Sequence, residues 1–482
     1  MKRNILIRGL LFGLCLVVTA AAFTQSYKPA IEWKQFAWND PRLIIKSGYL
    51  IVPENRMKPN GKTIQLPFIF IRRPDQHPTR NISLYMVGGP GYSTTFGIDS
   101  IGYEFGYIKF GGTIMLGQRG TKMAIPCLEC AEVTTANNQR YKTSLNFDSL
   151  RLEAIKQCRE RLTKQGIDLP AYTTMESASD INDLRKALEL DSLNLIGLSY
   201  SGGLMLEVAR NHPECVRTLV LRSPLPVSVH YDEHALFNFN EALETVFENC
   251  RTDSADRKYT GLKKRFQAYF TGITGREFSI NYLENGKQDS IRVFYSKSDL
   301  LEVINDKLSE GDGAPVPAIM IDFIEGRHEK WITAYLNAYF NGKSSVAAGM
   351  RYTVFCADQT LMSSEDLQHQ QNAVLPWLWG YRYNNVDRSV CACWKVKPAS
   401  GGSKHPVFSS VPVLIGGGDL DPGCSLFYNR LIRRTLPNAQ LLIQHNAGHG
   451  AGFKIDGVDY LEAFFADPYS KLVSKSKDVR IE

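Results

Sequence analysis

Short apolar runs separated by amphipathic segments recur along the chain. The runs do not alternate with polar positions, and they cover residues 49–52, 63–72, 82–87, 113–116, 193–196, 216–221, 411–415 and 440–444. Between two of them, residues 176–190 place Ile181, Leu184 and Leu188 at helical spacing. Strands without alternation, separated by helices, are typical of a mostly parallel sheet covered on both faces. The pattern therefore predicts an α/β fold.

The pattern changes between residues 225 and 405. Leu236, Leu243 and Phe247 mark an amphipathic helix, and helical patterns return at 299–308 and 319–340. Strand-like runs at 278–282 and 291–295 flank an Asn-Gly pair, which is typical of a hairpin. The segment is too long for a loop. We predict a second, mainly helical domain inserted between two sheet strands, with residues 399–404 as the return linker.

The first 22 residues have the three parts of a secretory signal. Residues 1–8 are basic, residues 9–22 are small and apolar, and Ala20 and Ala22 offer a cleavage site before Phe23. An uncleaved membrane anchor is the alternative, but the run is shorter than the roughly 20 residues that a bilayer core requires. The expected organisation is a signal peptide at 1–22, a core at 23–224 and 406–482, and a cap at 225–405. Export to the periplasm or the medium is expected.

Export permits disulfide bonds. The chain has 10 cysteines, and loss of Cys15 with the signal leaves an odd number, so at least one thiol is unpaired. Cys215 ends a predicted helix before an apolar strand, and we predict a buried free thiol there. The pairs Cys127/Cys130 and Cys391/Cys393 have no histidine at ligand spacing, so bridges explain them better than zinc.

Charge and hydropathy argue against two classes of partner. The net charge is +7, but three positive residues lie in the first eight, which leaves about +4 on the remainder. That bias is too weak to indicate nucleic-acid binding. No later stretch is long and apolar enough to span a membrane, so no stable insertion is expected after the signal is removed. The oligomeric state is not indicated.

Candidate chemistry lies in three loops that follow predicted strands. Ser199 stands between a buried strand and a helix, in the Gly-x-Ser context of a nucleophile elbow. A serine of ordinary pKa needs an adjacent base that a carboxylate orients. His449 follows the last apolar strand, with His445 nearer the strand, and both Asp419 and Asp421 follow the strand before it. The order Ser, Asp, His matches the α/β-hydrolase arrangement.

An acyl-transfer site also needs donors for the oxyanion of the transition state. One donor is expected to be the backbone N–H of Tyr200, directly after the serine. The other is expected from the glycine-rich loop at residues 87–91, where the backbone can approach a substrate carbonyl. A phosphate-binding loop is excluded here, because the lysine and the serine or threonine of such a loop do not follow these glycines.

Taken together, several motifs resemble those of the proline iminopeptidase and tripeptidyl aminopeptidase family of α/β hydrolases, in particular its exported members. They are Gly88-Gly89-Pro90-Gly91, Gln118-Arg119-Gly120, Gly197-x-Ser199-Tyr200, Gly418-x-x-Asp421-Pro422 and Gly448-His449-Gly450, together with the 178–185 helix, Cys356-Ala357-Asp358 and Cys393-Trp394.

The resemblance implies an α/β-hydrolase fold with a large, mainly helical inserted cap that covers the active site. It makes Ser199 the nucleophile, Asp421 the orienting acid and His449 the base, with Gly89 and Tyr200 as the oxyanion hole. It implies no metal or organic cofactor. Two positions depart from the family: Gly117 stands where aspartate is usual before Gln-Arg-Gly, and Ser201 stands where glycine is usual after the nucleophile.

The leading hypothesis is an exported serine aminopeptidase that acts on peptides with a free N-terminus, in the manner of a prolyl or tripeptidyl aminopeptidase. Cap carboxylates would meet the substrate ammonium, but Asp232, Glu233, Glu241, Glu325 and Glu329 cannot be told apart from an ordinary charged helix face. Aromatic residues at 377–394 would line a proline pocket or form the core of the cap. The alternatives are an esterase with the same triad and a catalytically inactive binding relative.

Overall fold

The architecture rests on one ten-stranded sheet, seen in a computed structural model that describes residues 27–38, 40–58, 61–143, 146–252, 257–311, 313–341, 345–360, 366–399 and 404–482. The predicted signal peptide and most of the predicted return linker lie outside the described residues. The described helices include none that is long and apolar enough to cross a bilayer.

Most strands overlap the predicted apolar runs, although four of them, at residues 30–34, 454–455, 458–459 and 479–481, were not predicted from the sequence. They are β1 (Ala30–Lys34), β2 (Ile44–Pro53), β3 (Thr63–Arg72), β4 (Ile82–Met86), β5 (Thr113–Leu116), β6 (Leu193–Leu198), β7 (Val216–Arg222), β8 (Glu277–Tyr282), β9 (Ile291–Ser296), β10 (Val413–Gly418), β11 (Ala439–Gln444), β12 (Lys454–Ile455), β13 (Val458–Asp459) and β14 (Val479–Ile481). The large sheet has the order β1-β2-β3-β5-β4-β6-β7-β10-β11-β14.

The middle of the sheet is parallel and its margins are antiparallel. Strands β5, β4, β6, β7, β10 and β11 pair in parallel, whereas β1, β2, β3 and β14 pair antiparallel with their neighbours. The parallel strands are nearly continuous in burial, as strands covered on both faces must be. Their carboxyl ends lie at one edge, where ligands bind in such sheets.

Helices cover the sheet and fill the segment between β7 and β10. They are α1 (Ala131–Gln139), α2 (Phe147–Lys164), α3 (Thr174–Ala187), α4 (Tyr200–Asn211), α5 (Tyr231–Thr252), α6 (Leu262–Gly272), α7 (Lys297–Ser309), α8 (Val316–Ile324), α9 (Glu329–Asn341), α10 (Ala348–Asp358), α11 (Leu367–Val374), α12 (Arg388–Trp394), α13 (Leu426–Arg433) and α14 (Tyr460–Ala466).

The segment between β7 and β10 is mainly helical and contains the predicted hairpin, β8 paired antiparallel with β9. One helix expected over residues 319–340 is instead two, because the chain turns at Gly326. That glycine has φ 79° and its N–H bonds the carbonyl of Phe323, which ends α8. Many of the segment's apolar side chains form their own cluster, around Phe239, Phe266 and Leu301. The domain boundaries at 225 and 405 stay a prediction.

The described part of the chain contains two disulfides, Cys130–Cys158 and Cys356–Cys391. The first joins the start of α1 to α2, and the second joins α10 to α12. Of the close pairs Cys127/Cys130 and Cys391/Cys393, only Cys130 and Cys391 are therefore bridged, each to a cysteine at least 28 residues away. Cys215 is a buried free thiol, as predicted.

A buried ion network holds the Gln-Arg-Gly turn after β5. The Arg119 side chain is fully buried, and its Nε and Nη2 donate to the two carboxylate oxygens of Asp180 at 2.8 and 2.7 Å. Its Nη1 donates to the carbonyls of Glu54 and Ala171. Arg56 donates to Asp180 as well, at 2.7 Å. Burial would raise the pKa of Asp180, but the two guanidinium groups hold it below its usual value. Arg119 therefore links α3 to the loop beside the elbow.

We expect Asp180→Ala to destabilise the protein by about 3–5 kcal/mol, because it removes the two-bond carboxylate partner of the buried Arg119 and leaves only Glu176, at 3.3 Å, to offset that charge. Asp191→Ala is the matched control, since Asp191 pairs with Arg80 where both side chains are more than half exposed, and it should cost about 0–1 kcal/mol. Urea unfolding of the oxidised variants measures both. Equal losses would show that the network contributes no more than a surface pair.

Candidate active site

The predicted nucleophile lies at a strained turn between β6 and α4. Ser199 has φ 58° and ψ −125°, a left-handed φ that is unusual for a residue other than glycine. The turn is crowded, because a Cβ on Gly197 would lie 2.4 Å from the carbonyl oxygen of Ser201. The local geometry is therefore that of the elbow expected from the sequence, with the serine at its apex.

Asp421 and His449 are in direct contact. The Nδ1 of His449 lies 2.9 Å from Oδ2 and 3.1 Å from Oδ1 of Asp421. The N–H groups of Gly423 and Cys424 donate to Oδ1 at 2.9 and 2.8 Å, so the buried carboxylate is fixed by its own turn. A bond at Nδ1 leaves Nε2 of the imidazole to act as the base.

The two ionisable groups shift each other's pKa. Burial would raise the pKa of Asp421, but the charge and hydrogen bond of His449 and the N–H of Cys424 hold it below its usual value. Burial would lower the pKa of His449, but Asp421 raises it above its usual value. The nearby Arg222 opposes that rise. A histidine with a raised pKa is a stronger base for accepting a proton from a serine.

A second aspartate–histidine pair lies at the same edge of the sheet. The Nδ1 of His445 is 3.0 Å from Oδ2 of Asp419. The side chain of His445 is 42% exposed and that of Asp419 is 18% exposed, whereas Asp421 is fully buried. The structure thus joins Asp421 to His449 and Asp419 to His445. Of the two histidines, His449 has the buried acid.

The end of β7 joins the three loops. The N–H of Ser199 donates to the carbonyl of Arg222 at 2.9 Å, and the N–H of Gly450 donates to Oγ of Ser223 at 2.8 Å. The Ser223 side chain also helps to hold the pKa of Asp421 down. Sequence reasoning missed Ser223, although its place directly after a parallel strand is a signal that could have found it.

The loop after β4 lies against the elbow. A Cβ on Gly88 would be 2.5 Å from Cβ of Ser199 and 3.0 Å from the backbone nitrogen of Tyr200. Tyr200 begins α4, so its N–H has no acceptor within the helix. Gly89 has φ 120°, a backbone conformation that glycine tolerates. The two segments predicted to supply the oxyanion donors are therefore adjacent.

The two departures from the family are accommodated by packing. Ser201 is buried, donates to the carbonyl of Val87 and accepts from Nε2 of Gln118 at 3.1 Å. It thus ties the elbow to the loop after β4. A Cβ on Gly117 would lie 2.6 Å from Cγ of Pro67, so aspartate would not fit there without a shift.

The segment between β7 and β10 contacts the histidine and aspartate loops. The N–H of His449 donates to the carbonyl of Ser309, the last residue of α7, at 3.1 Å. A Cβ on Gly423 would be 3.2 Å from the Tyr383 hydroxyl and 3.8 Å from that of Tyr231. These tyrosines therefore lie over the turn that carries Asp421.

A cavity of about 560 Å³ lies between this segment and the α1–α2 region. Its lining includes Glu302 on α7, which accepts a hydrogen bond from the Tyr381 hydroxyl at 2.6 Å. Burial raises the pKa of Glu302. Burial, with Glu302 and Glu310, raises the pKa of Asp306 to about 7. Among the described residues, no lysine or arginine forms an ion pair with either carboxylate.

The carboxylates named from the sequence have other surroundings. Asp232 accepts a hydrogen bond from the side chain of Asn384. The carboxylate of Glu233 contacts His230, and that of Glu325 contacts Arg327. Glu241 and Glu329 are exposed. Glu302 and Asp306 were missed because their helix pattern looks like any charged face, and only packing shows that this face is buried.

Two families match the chain. Residues 156–311 match the alpha/beta hydrolase fold family, and residues 377–465 match the TAP-like protein family. The chain therefore has the α/β-hydrolase fold. Tripeptidyl aminopeptidases of Streptomyces lividans and Streptomyces coelicolor are 28% identical to it in an alignment 226 residues long, which covers 42% of this chain and 40% of each relative. These matches confirm the resemblance drawn from the motifs.

Solved structures similar to this α/β hydrolase include an esterase from Exiguobacterium antarcticum, with TM-score 0.33 and 13% identity over 84% of this chain and 94% of that one. A Bacillus megaterium epoxide hydrolase has TM-score 0.32 and 16% identity over 81% and 92%. Similarity at this level carries no argument about chemistry.

We expect Asp421→Asn to lower kcat by about 10⁴-fold, since the imidazole would lose the carboxylate that orients it and stabilises its protonated form. Asp419→Asn should stay within a few-fold of wild type, because its histidine partner faces solvent. Both are measured on the same ester substrate, after circular dichroism has verified folding. The reverse order of effects would make Asp419 the orienting acid.

We expect kcat/KM to rise with pH as His449 loses its proton. The pKa of this limb should lie above about 6.5, the usual pKa of histidine. His449 must be neutral to accept the serine proton, and Asp421 raises its pKa, so activity is lost on the acid side as the imidazole gains a proton. In single-turnover experiments, the pKa of this limb should fall in Asp421→Asn, where burial is no longer opposed by the charge. If the pKa of the acid limb were the same in Asp421→Asn as in wild type, the assignment of this ionisation to His449 would be wrong.

Proposed function

We propose that this α/β hydrolase is an exported serine aminopeptidase. The observation that carries the proposal is the buried hydrogen bond between Asp421 and His449 beside the strained elbow of Ser199. A serine at an elbow, a base and an oriented carboxylate from three loops form the arrangement used for acyl transfer. The TAP-like match and the tripeptidyl aminopeptidase relatives support a peptide substrate.

The mechanism follows from the roles of these groups. His449 Nε2 takes the proton of Ser199 as its Oγ attacks the substrate carbonyl, and Asp421 stabilises the imidazolium that forms. The N–H groups of Gly89 and Tyr200 bind the oxyanion of the tetrahedral intermediate. His449 then protonates the leaving amine. In the second half of the reaction His449 takes a proton from water as the water attacks the acyl-enzyme, and it then returns a proton to Ser199 Oγ as the acid product leaves.

Preference for a free N-terminus requires carboxylates near the serine. We assign this role to Glu302 and Asp306, which are partly buried on α7 without an ion-pair partner among the described residues. Such carboxylates favour a substrate ammonium, because the bound cation offsets the cost of their burial. Arg140 and Lys307 act on their pKa values only from a distance, lowering them.

The position of the two carboxylates along α7 bears on the length of the peptide removed. Asp306 and Glu302 lie about 4.5 and about 10 Å along the helix axis from Ser309, at 1.5 Å per residue. Ser309 in turn contacts His449. An extended peptide spans about 3.3–3.6 Å per residue. Asp306 therefore fits an ammonium one residue from the scissile bond, and Glu302 fits one about three residues away.

Export is supported by two observations. The first 22 residues have the composition of a signal peptide. The two disulfides fit an oxidising compartment, since such bonds are rare in reducing ones.

The test is a digest of a peptide library, read by mass spectrometry, with fluorophosphonate labelling in parallel. We expect cleavage near free N-termini, none of N-acetylated peptides, and labelling that is absent in Ser199→Ala. Glu302→Gln should raise KM for N-terminal tripeptide release by about 10–100-fold, the value of a hydrogen bond to a charged group. Glu310→Gln is the control, because Glu310 is exposed on the same helix and pairs with Lys307.

Three outcomes separate the alternatives. Hydrolysis of p-nitrophenyl esters without cleavage of any peptide would make the protein an esterase. Absence of both labelling and hydrolysis would make it a binding relative. Cleavage that responds to Asp306→Asn rather than Glu302→Gln would indicate release of single residues.

A further inference from the structure

One helix of the inserted segment, α10, contacts both segments that carry the proposed oxyanion donors. At its start, the N–H of Ala347 donates to the carbonyl of Gly91 at 2.9 Å. The packing is close, since a Cβ on Gly91 would lie 2.8 Å from the carbonyl oxygen of Ala347 and 3.3 Å from Cβ of Arg351. The first turn of α10 therefore lies against the loop after β4.

Arg351, in this turn, donates from Nη1 to the carbonyl of Gly89. Its Nε is 3.4 Å from Oδ1 of Asn385, and its guanidinium carbon is 4.6 Å from the centre of the Phe355 ring. Among the described residues, no carboxylate forms an ion pair with it. Burial lowers its pKa. The strongest polar contact of this cation is thus a backbone carbonyl of the loop.

The other end of α10 contacts the elbow through side chains. Thr174 Oγ1 donates to Oδ2 of Asp358 at 2.6 Å, and the Tyr200 hydroxyl lies 2.9 Å from Thr174 Oγ1. Because the threonine proton goes to the carboxylate, the tyrosine hydroxyl donates to the threonine. All three residues are buried. The side chain of the residue that follows the nucleophile is therefore held by the last residue of α10.

We propose that α10 positions the oxyanion hole from outside the sheet: Arg351 fixes Gly89, and Asp358 fixes Tyr200 through Thr174. The proposal rests on the proposed function, since it concerns the same site. An oxyanion hole works only if both N–H groups are held near 2.7–3.1 Å from the oxyanion. The two backbone donors come from separate loops, and α10 is one rigid element that touches both.

The helix is itself braced. Cys356 on α10 forms the disulfide with Cys391 on α12, and Trp394 Nε1 donates to Thr353 Oγ1 at 2.8 Å. A helix fixed by these contacts can hold the two loops at a constant separation, whereas a mobile helix could not fix the position of either loop. Arg351, Thr174 and Asp358 are positioning residues in this account, because they act through Gly89 and Tyr200.

The test compares Arg351→Met and Thr174→Val with wild type on one substrate and on a boronic acid that forms a tetrahedral adduct with the serine. We expect kcat to fall about 10–100-fold, part of the 10²–10³-fold loss of a whole donor, with KM within about threefold. Affinity for the boronic acid should fall by the same factor as kcat. Thr174→Ser should restore activity, and added methylguanidine should restore part of it to Arg351→Ala.

The matched control is Arg72→Met. Arg72 also donates to backbone carbonyls, those of Arg73 at 3.2 Å and Gln76 at 3.0 Å, but it lies at the end of β3, outside the elbow, the loop after β4 and the helices that brace α10. It should leave kcat and boronic-acid affinity unchanged. If Arg351→Met does not fold, the nearly isosteric Thr174→Val carries the test alone.

The outcomes are separable from those of the proposed function. A wild-type protein that neither reacts with fluorophosphonate nor hydrolyses any substrate overturns the proposed function. A wild-type protein that does both, with variants that change only thermal stability or only KM, overturns the role of α10 and leaves the proposed function intact. Parallel loss of kcat and boronic-acid affinity supports it.

Discussion

A carboxylate buried at the end of a strand stays ionised only if nearby donors and positive charge offset its loss of water, and Asp421 meets that condition through three different parts of the chain. Its own turn supplies two N–H groups, the residue after β7 supplies a hydroxyl, and the loop after β11 supplies the imidazole of His449. Ser199 in turn hydrogen-bonds the backbone at the end of β7. The arrangement of loops at this edge of the sheet follows from the need to satisfy one anion.

The parallel strands explain how much of this was predictable. Predominantly apolar runs such as Leu193–Leu198 and Val413–Gly418 can be recognised in the sequence, because strands covered on both faces carry few polar positions. Residues directly after such runs meet at one edge, so Ser199, Asp421 and His449 could be singled out before their contacts were known. The antiparallel margin β1 is exposed over most of its length and gives no comparable pattern.

What the sequence could not supply depends on contacts between distant parts of the chain. Two aspartates and two histidines at similar spacing cannot be paired by reading them, since the pairing depends on which side chain turns inward. The break between α8 and α9 depends on one glycine in a left-handed conformation. The burial of Glu302 and Asp306 depends on packing of α7 against other elements, which periodicity does not reveal.

The disulfide between α10 and α12 has a consequence for biosynthesis. It fixes the helix that touches the glycine loop and the elbow, although neither cysteine lies in either of them. Chain that folds where thiols remain reduced would lack this brace while its sheet, formed by the hydrophobic runs alone, could still assemble. Maturation of the site would then be a separate event from folding of the sheet, completed only when this bond has formed.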